Sequence, residues 1–198
     1  MIDRPTPLVP RYLRLPVQER LCRDGQVLVP LDENSVTDAL DSLDRHQVES
    51  VAIGFLHGFV NPAHEQRTAE LLQQARPELS ITLASEVCPE IREFERLSTA
   101  CANAYVRPLM ERYLHRLSGE LIERGFTCPF LQMTTGGGLT TLETAAMFPI
   151  RLVESGPDRG AILTREVARQ RDYRRLKTFD IGGTTEKQCQ IDEFEPLT

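Results

Sequence analysis

An α/β fold is predicted by three features of the sequence. Val51-Ala52-Ile53-Gly54-Phe55-Leu56 and Ser80-Ile81-Thr82-Leu83-Ala84-Ser85 are continuous apolar runs of the kind that form strands covered on both faces. Between them lies a helical stretch opened by Asn61-Pro62, as N-cap and first helical position, and stopped by Pro77. Strand, helix and strand in that order are the signature of a mostly parallel sheet with helices packed on it. The third feature is a long helical stretch over 93–124, with Pro108 as a potential bend and Gly125 as its C-cap.

The remaining elements follow in order. Five prolines interrupt the first thirty residues, and Arg23-Asp24-Gly25 reads as a turn beside Val27-Leu28-Val29, so the entry is a hairpin or an extended segment. From Ser35 the period becomes helical: Val36, Leu40, Leu43 and Val48 share one face, with Asn34 or Ser35 as the cap. A strand over 130–133 leads into Gly136-Gly137-Gly138, and 141–147 forms a short helix. Arg151-Leu152-Val153 reads as a strand ending in a turn at Ser155-Gly156-Pro157, followed by a helix over 161–171. Strands over 176–181 and 187–191 close the chain around a glycine turn, and no internal repeat is present.

Composition narrows the function classes. With 198 residues, 40% hydrophobic and 26% charged, the chain can build one sizeable soluble core. A net charge of −6 argues against a nucleic-acid partner, which requires a basic face. The five cysteines form no Cys-x-x-Cys pair, and an odd, dispersed set fits a reducing cytosol. No run reaches the length of a membrane span, and Met1-Ile2-Asp3-Arg4-Pro5-Thr6-Pro7 lacks a signal-peptide core. The expectation is a cytoplasmic protein with no membrane partner.

The strongest chemical signal is Phe179-Asp180-Ile181-Gly182-Gly183-Thr184-Thr185. A strand delivers a carboxylate to its end, and a glycine turn then exposes backbone N–H groups where phosphate oxygens can approach. Asp180 suits a Mg²⁺ ion, held directly or through water, and Thr184 and Thr185 suit phosphate. Taken alone, the pattern fits a plain hairpin turn equally well. Gly136-Gly137-Gly138 is either a second phosphate or substrate loop or a turn with no ligand. His57, His64 and Glu65 lack metalloprotease spacing, since position 68 is Thr, and they read as structural. Glu93-Phe94-Glu95-Arg96 reads as solvated or paired helix-start charge rather than as acid–base machinery. The cysteines read as core residues.

Context adds a resemblance. Arg151 to Pro157, then a helix, then the Asp180 hairpin resemble the middle of actin-like ATPases, in which such a helix links two ribonuclease-H-like domains and the hairpin holds a γ-phosphate. Four further stretches are similar to the hydantoinase/oxoprolinase branch: His57 to Glu65 with its Asn-Pro-x-His-Glu, Glu90 to Thr99 with its Glu-Arg-x-Ser-Thr, Met133 to Gly138, and Glu154-Ser155-Gly156-Pro157.

That resemblance implies an ATP-dependent, hydantoinase A-type subunit using ATP and Mg²⁺. Such a subunit phosphorylates the carbonyl oxygen of a small cyclic amide or imide, which makes that oxygen a better leaving group and lets water open the ring. Its partner is a hydantoinase B-type subunit or domain. Ketone carboxylases apply related activation, and both reactions rest on positioning and charge neutralisation. By the same resemblance Asp180, Gly182, Gly183, Thr184 and Thr185 bind phosphate, Asp180 faces Mg²⁺, and Ser155, Gly156 and Pro157 form a hinge turn.

Departures from the family pattern shape three further expectations. No Asp-x-Gly-Gly-Thr hairpin precedes residue 180, so the chain is expected to be an internal fragment, inactive alone and weak in ATP binding. Residues 1–156 would be the remainder of a first α/β domain, and 157–198 the crossover helix and first hairpin of a second ribonuclease-H-like domain. Asp158 and Arg159 replace small residues, and enlarging a packed site costs about 1–3 kcal/mol. Gln188 and Gln190 occupy an ordinarily apolar face, which is therefore either wet or relaxed. Alternatives are a non-catalytic remnant or assembly partner, a carboxylase fragment, and another actin-like ATPase; the Asn-Pro-x-His-Glu and Glu-Arg-x-Ser-Thr segments argue against the last.

Overall fold

The computed structural model describes residues 6–153, 155–183 and 186–197, with the backbone alone at Ser155, Pro157, Asp158 and Leu197. Two compact units divide the chain, Met1–Tyr113 and Leu114–Thr198. The division lies within the long helix, elsewhere than the expected 156/157.

After a short 3-10 turn at Arg11–Leu13, the first unit forms a hairpin, one of the two forms expected for the entry, with β1 (Arg20–Leu21) against β2 (Val27–Val29). Its turn places Gly25 at φ 82°, a left-handed conformation that favours glycine. Helix α1 (Glu33–Arg45) starts earlier than expected because Asp32 is the cap, its carboxylate accepting the Asn34 N–H at 3.0 Å. Ser35 instead donates its hydroxyl to the Asp32 carbonyl. Val48 lies beyond the helix but packs on the same core.

Strand β3 (Ser50–Ile53), crossover helix α2 (Ala63–Ala75) and strand β4 (Ser80–Leu83) form the predicted parallel pair, in register from Ser50↔Ser80 to Ile53↔Leu83. Both strands are shorter than their apolar runs. Beyond β3, a Cβ at Gly54 would run into Leu97, and beyond β4 the chain turns into α3 (Ala84–Val87). Val36, Leu43, Ile53, Leu72, Leu79 and Leu83 fill the core between sheet and helices. Among the described residues this is the one parallel pair, so the expectation of a mostly parallel sheet holds only here.

Helix α4 (Glu93–Glu123) carries Pro108 in its interior. It ends as predicted at Gly125, whose φ of 86° lets its N–H reach the Ile122 carbonyl at 2.9 Å and the Phe126 N–H reach Leu121 at 3.0 Å.

The second unit contains the hairpin β5 (Leu131–Met133) and β6 (Leu139–Thr141), followed by α5 (Leu142–Met147), capped by Thr141. Leu114, Ala145 and Ala146 form its buried cluster with Leu142 and Leu152. The strand expected at Arg151-Leu152-Val153 is instead the end of a 3-10 turn, Pro149–Leu152. Pro149 opens that turn with its φ already set, and the Arg151 N–H closes it on Phe148 at 3.0 Å.

Ser155, Gly156 and Pro157 are also corrected: they form the first turn of α6 (Ser155–Arg171), not a turn ahead of a helix at 161. Proline is tolerated there because first-turn N–H groups have no intrahelical acceptor. Strands β7 (Arg175–Ile181) and β8 (Glu186–Asp192) pair antiparallel, and a strand not foreseen from sequence, β9 (Glu195–Leu197), adds to β8. Ala168 of α6 and Ile191 of β8 are fully buried. Gln188 and Gln190 lie on the exposed face, so their amides stay wet, and Arg159 is also exposed, so none of these three side chains carries a burial cost; the side chain of Asp158 lies outside the described residues.

Candidate functional site

Strand β7 carries Asp180 to the second-last position before its end, directly opposite Lys187 of β8. The carboxylate is exposed to solvent. A Cβ placed on Gly156, in the first turn of α6, would stand 3.6 Å from Asp180 Oδ2. The carboxylate and the N-terminus of a 17-residue helix therefore share one end of the second unit. Such a terminus presents unpaired N–H groups and the positive end of the helix dipole.

The turn that follows is open. A Cβ at Gly183 would meet nothing within 4 Å, and its φ lies outside the left-handed range. Gly183 therefore contributes free space rather than an unusual backbone angle. Gly182 is likewise exposed, whereas Thr184 and Thr185 lie outside the described residues.

The glycine loop between β5 and β6 is anchored on both sides. Gly136 and Gly137 adopt φ of 91° and 82°. Thr134 N–H donates to Gly138 at 2.8 Å, Thr135 N–H to Arg151 at 2.7 Å, and the Thr135 hydroxyl to the Val153 carbonyl. A Cβ at Gly137 would run into Ile162 of α6, so close approach as well as backbone angle demands glycine. One helix thus meets both glycine motifs, the loop at Ile162 and the Asp180 hairpin at Gly156. Sequence spacing carries no sign of the approach between Gly156 and Asp180.

The motif residues of the first unit have another role. Glu65 is 1% exposed; its Oε1 accepts the Phe55 N–H at 3.0 Å and its Oε2 the Ser85 N–H at 2.9 Å. A Cβ at Gly58 would run into that same Oε1. Arg96 is 0% exposed, donating to the carbonyls of Glu90 at 2.9 Å and Phe55 at 3.1 Å, with its guanidinium 5.1 Å from the centre of the Phe59 ring. The backbone of Phe55 is therefore gripped through its N–H by one motif and through its carbonyl by another. His64 Nδ1 lies 2.8 Å from Glu19 Oε2, and Asn61 donates to the Gly25 carbonyl at 2.8 Å. Glu93 stays below the usual carboxylate range because it accepts its own backbone N–H, with help from Arg96. Burial pushes the Cys101 thiol up. These groups brace the chain, as their structural reading anticipated; the burial of Arg96 was not foreseen.

Among the described residues no cluster of three or more His, Cys, Asp or Glu suits a metal ion, and no helix is long and apolar enough to cross a membrane.

Comparison with known proteins gives concordant matches. The family described as Hydantoinase/oxoprolinase matches residues 96–198, and the Hydantoinase/oxoprolinase N-terminal region matches residues 2–76. Caprolactamase subunit alpha of Pseudomonas jessenii is 35% identical over 178 residues, 90% of this chain and 26% of that protein. The crystal structure of the ATP-dependent caprolactamase from that organism superposes with a TM-score of 0.80 at 33% identity, covering 96% of this chain and 28% of that one. The nucleotide-free structure of acetone carboxylase gives a TM-score of 0.86 at 27% identity, covering 98% and 28%. The chain therefore spans less than a third of the length of these relatives.

Proposed function

The chain belongs to the hydantoinase/oxoprolinase family and has its actin-like ATPase fold, and from that premise we propose that Asp180 and the first turn of α6 form one wall of a nucleotide-phosphate site. The observation that carries this reading is the 3.6 Å approach between Asp180 Oδ2 and the Cβ position of Gly156. A carboxylate beside a helix N-terminus combines a cation ligand with amide donors for anionic oxygens. Gly183 leaves room for phosphate beside the exposed Gly182, and Thr184 and Thr185 follow in sequence to donate hydroxyls. The relatives named as ATP-dependent support the nucleotide, and the single carboxylate fits Mg²⁺, which binds through one or two carboxylates together with substrate phosphates. Mg²⁺ would supply charge neutralisation across the phosphate oxygens.

The reaction proposed for the whole protein is activation of a carbonyl by phosphorylation. The carbonyl oxygen of a cyclic amide attacks the γ-phosphorus, an oxygen–phosphorus bond forms, and ADP departs with the bond it loses. Water adds at the activated carbon and the ring C–N bond breaks; a second water releases phosphate from the acyl phosphate. Positioning and charge stabilisation supply the rate, with no protein nucleophile. A ketone carboxylase is the second reading, favoured by the superposition on acetone carboxylase. A B-type partner subunit is proposed because the caprolactamase relative is itself a subunit. The unbridged cysteines support a cytoplasmic site. We propose the family's domain boundary at 156/157, within the first turn of α6, with 1–156 in the first domain and 157–198 in the second.

Isothermal titration with ATP and Mg²⁺ tests the site. Asp180→Asn is expected to weaken binding at least tenfold, as loss of a charged ligand should. Unchanged affinity in that variant would remove Asp180 from the site and favour a non-catalytic remnant.

A further inference from the structure

Within the first unit, helix α4 has two faces that want burial. One packs on the sheet: Arg96 and Asn103 reach Phe55 and Thr82, and Ala100 and Ala104 are buried beside them. The opposite face carries Phe94, Ser98, Ala102, Tyr105, Leu109 and Tyr113, which fall in one stripe at about 3.6 residues per turn. That stripe faces solvent, with Phe94 80% exposed, Tyr105 72%, Leu109 66% and Tyr113 45%. A helix apolar on both sides is suited to cover on both sides, and a row of exposed large apolar side chains marks a contact surface.

The pattern of the stripe says what covers it. Its residues are spaced by steps of four, four, three, four and four, which read the same in either direction. A second copy laid antiparallel about a two-fold axis midway between positions 103 and 104 therefore matches the stripe to itself. Phe94 then faces Tyr113 of the second copy, Ser98 faces Leu109, and Ala102 faces Tyr105. The small residues leave recesses for the bulky ones, as close packing requires. The margins agree in charge. Glu95 lies on one edge of the stripe and Arg112 on the other, both exposed, and the same rotation brings each Glu95 to an Arg112 of the other copy. Within its own chain Glu95 has a loose pair with Arg92 at 3.9 Å. A parallel copy would instead set Phe94 on Phe94 and Arg112 on Arg112, without recesses and with like charges together.

We propose that the α4 face from Phe94 to Tyr113 docks a second copy of this chain, antiparallel, around that two-fold axis. The exposed side chains offer on the order of 500 Å² per copy, against about 800 Å² per partner in a standard interface. The dimer is therefore of the weak, reversible class.

Sedimentation equilibrium of the 198-residue chain between about 1 and 300 μM tests the docking. The expected result is a mass that rises reversibly from one chain to two. Leu109→Glu should hold the chain monomeric across the range, with thermal unfolding at the lowest concentration unchanged, and Tyr105→Arg should do the same independently. Glu95→Arg and Arg112→Glu each set like charges opposite one another and should weaken the dimer about fivefold. Both reversals together rebuild the pair with its signs exchanged and should restore affinity to within about twofold of the parent. A chain that stays monomeric throughout would overturn the proposal and assign the stripe to a different occupant. A dimer untouched by Leu109→Glu and Tyr105→Arg would place the contact on another face. Single charge reversals without effect, or without rescue in the double variant, would overturn the antiparallel register.

Discussion

Glu65 and Asp180 are both carboxylates within short motifs, yet the two units use them in opposite ways. Glu65 spends both oxygens on amides of its own chain, is almost wholly buried, and has Gly58 pressed against it. Asp180 stands exposed at a strand end, beside a helix N-terminus and a glycine with open space around it. A carboxylate whose lone pairs are already taken inside the core shapes the fold. One left exposed at a strand end beside a helix N-terminus is available for a ligand.

The comparison is broken most easily at Glu65. Glu65→Ala leaves the Phe55 and Ser85 N–H groups without their acceptor. At about 1–3 kcal/mol for each unsatisfied donor, a loss of about 2–6 kcal/mol is expected in urea unfolding. A change below about 0.5 kcal/mol, the usual range of a surface substitution, would mean that Glu65 is not the brace described.

Paired glycine substitutions sharpen the contrast. Gly58→Ala forces a Cβ into Glu65 and should cost about 1–3 kcal/mol, as overpacking does. Gly183→Ala meets open space, and its thermal unfolding should match the parent within about 0.5 kcal/mol. Reversal of that order would exchange the roles assigned to the two regions.

The smallest effect concerns acid. Arg67 holds the Glu33 carboxyl, and Arg76 the Glu78 carboxyl, below their ordinary value of 4.5 through direct hydrogen bonds. A depressed folded value means that the folded state releases these protons more readily than the unfolded chain. Their stabilisation is therefore complete above 4.5 and is lost as pH falls through the lowered values. Both pairs are exposed, so urea midpoints should drift only gently downward there, and high salt should flatten the drift. A midpoint that rose on acidification would contradict the sign.

Much of this was legible in the sequence, for reasons that differ between elements. The parallel pair, the crossover helix and the close of α4 at Gly125 follow from local signals of apolar continuity, proline and glycine. Arg151-Leu152-Val153 misleads because a short apolar stretch has no period of its own, and Pro149 turns it into a tight helical turn. Ser-Gly-Pro looks like a break, although proline in a first helical turn is no obstacle. The cap at Asp32 lies two residues before Asn34 and three before Ser35, the expected caps, because Asp, Asn and Ser compete for the same role. The site itself was only half readable. Asp180 and its glycines stand out in sequence, but the meeting of Asp180 with Gly156 arises from tertiary packing.

Hydrogen exchange with and without saturating ATP and Mg²⁺ tests the central claim most directly. The account predicts new protection at 155–160 and around 180–183, with residues 54–65 and 90–103 unchanged because their amides already serve the fold. Protection centred on 54–65 or 90–103, with none at 155–160 or 180–183, would contradict it and return the nucleotide to the motifs assigned here to structure.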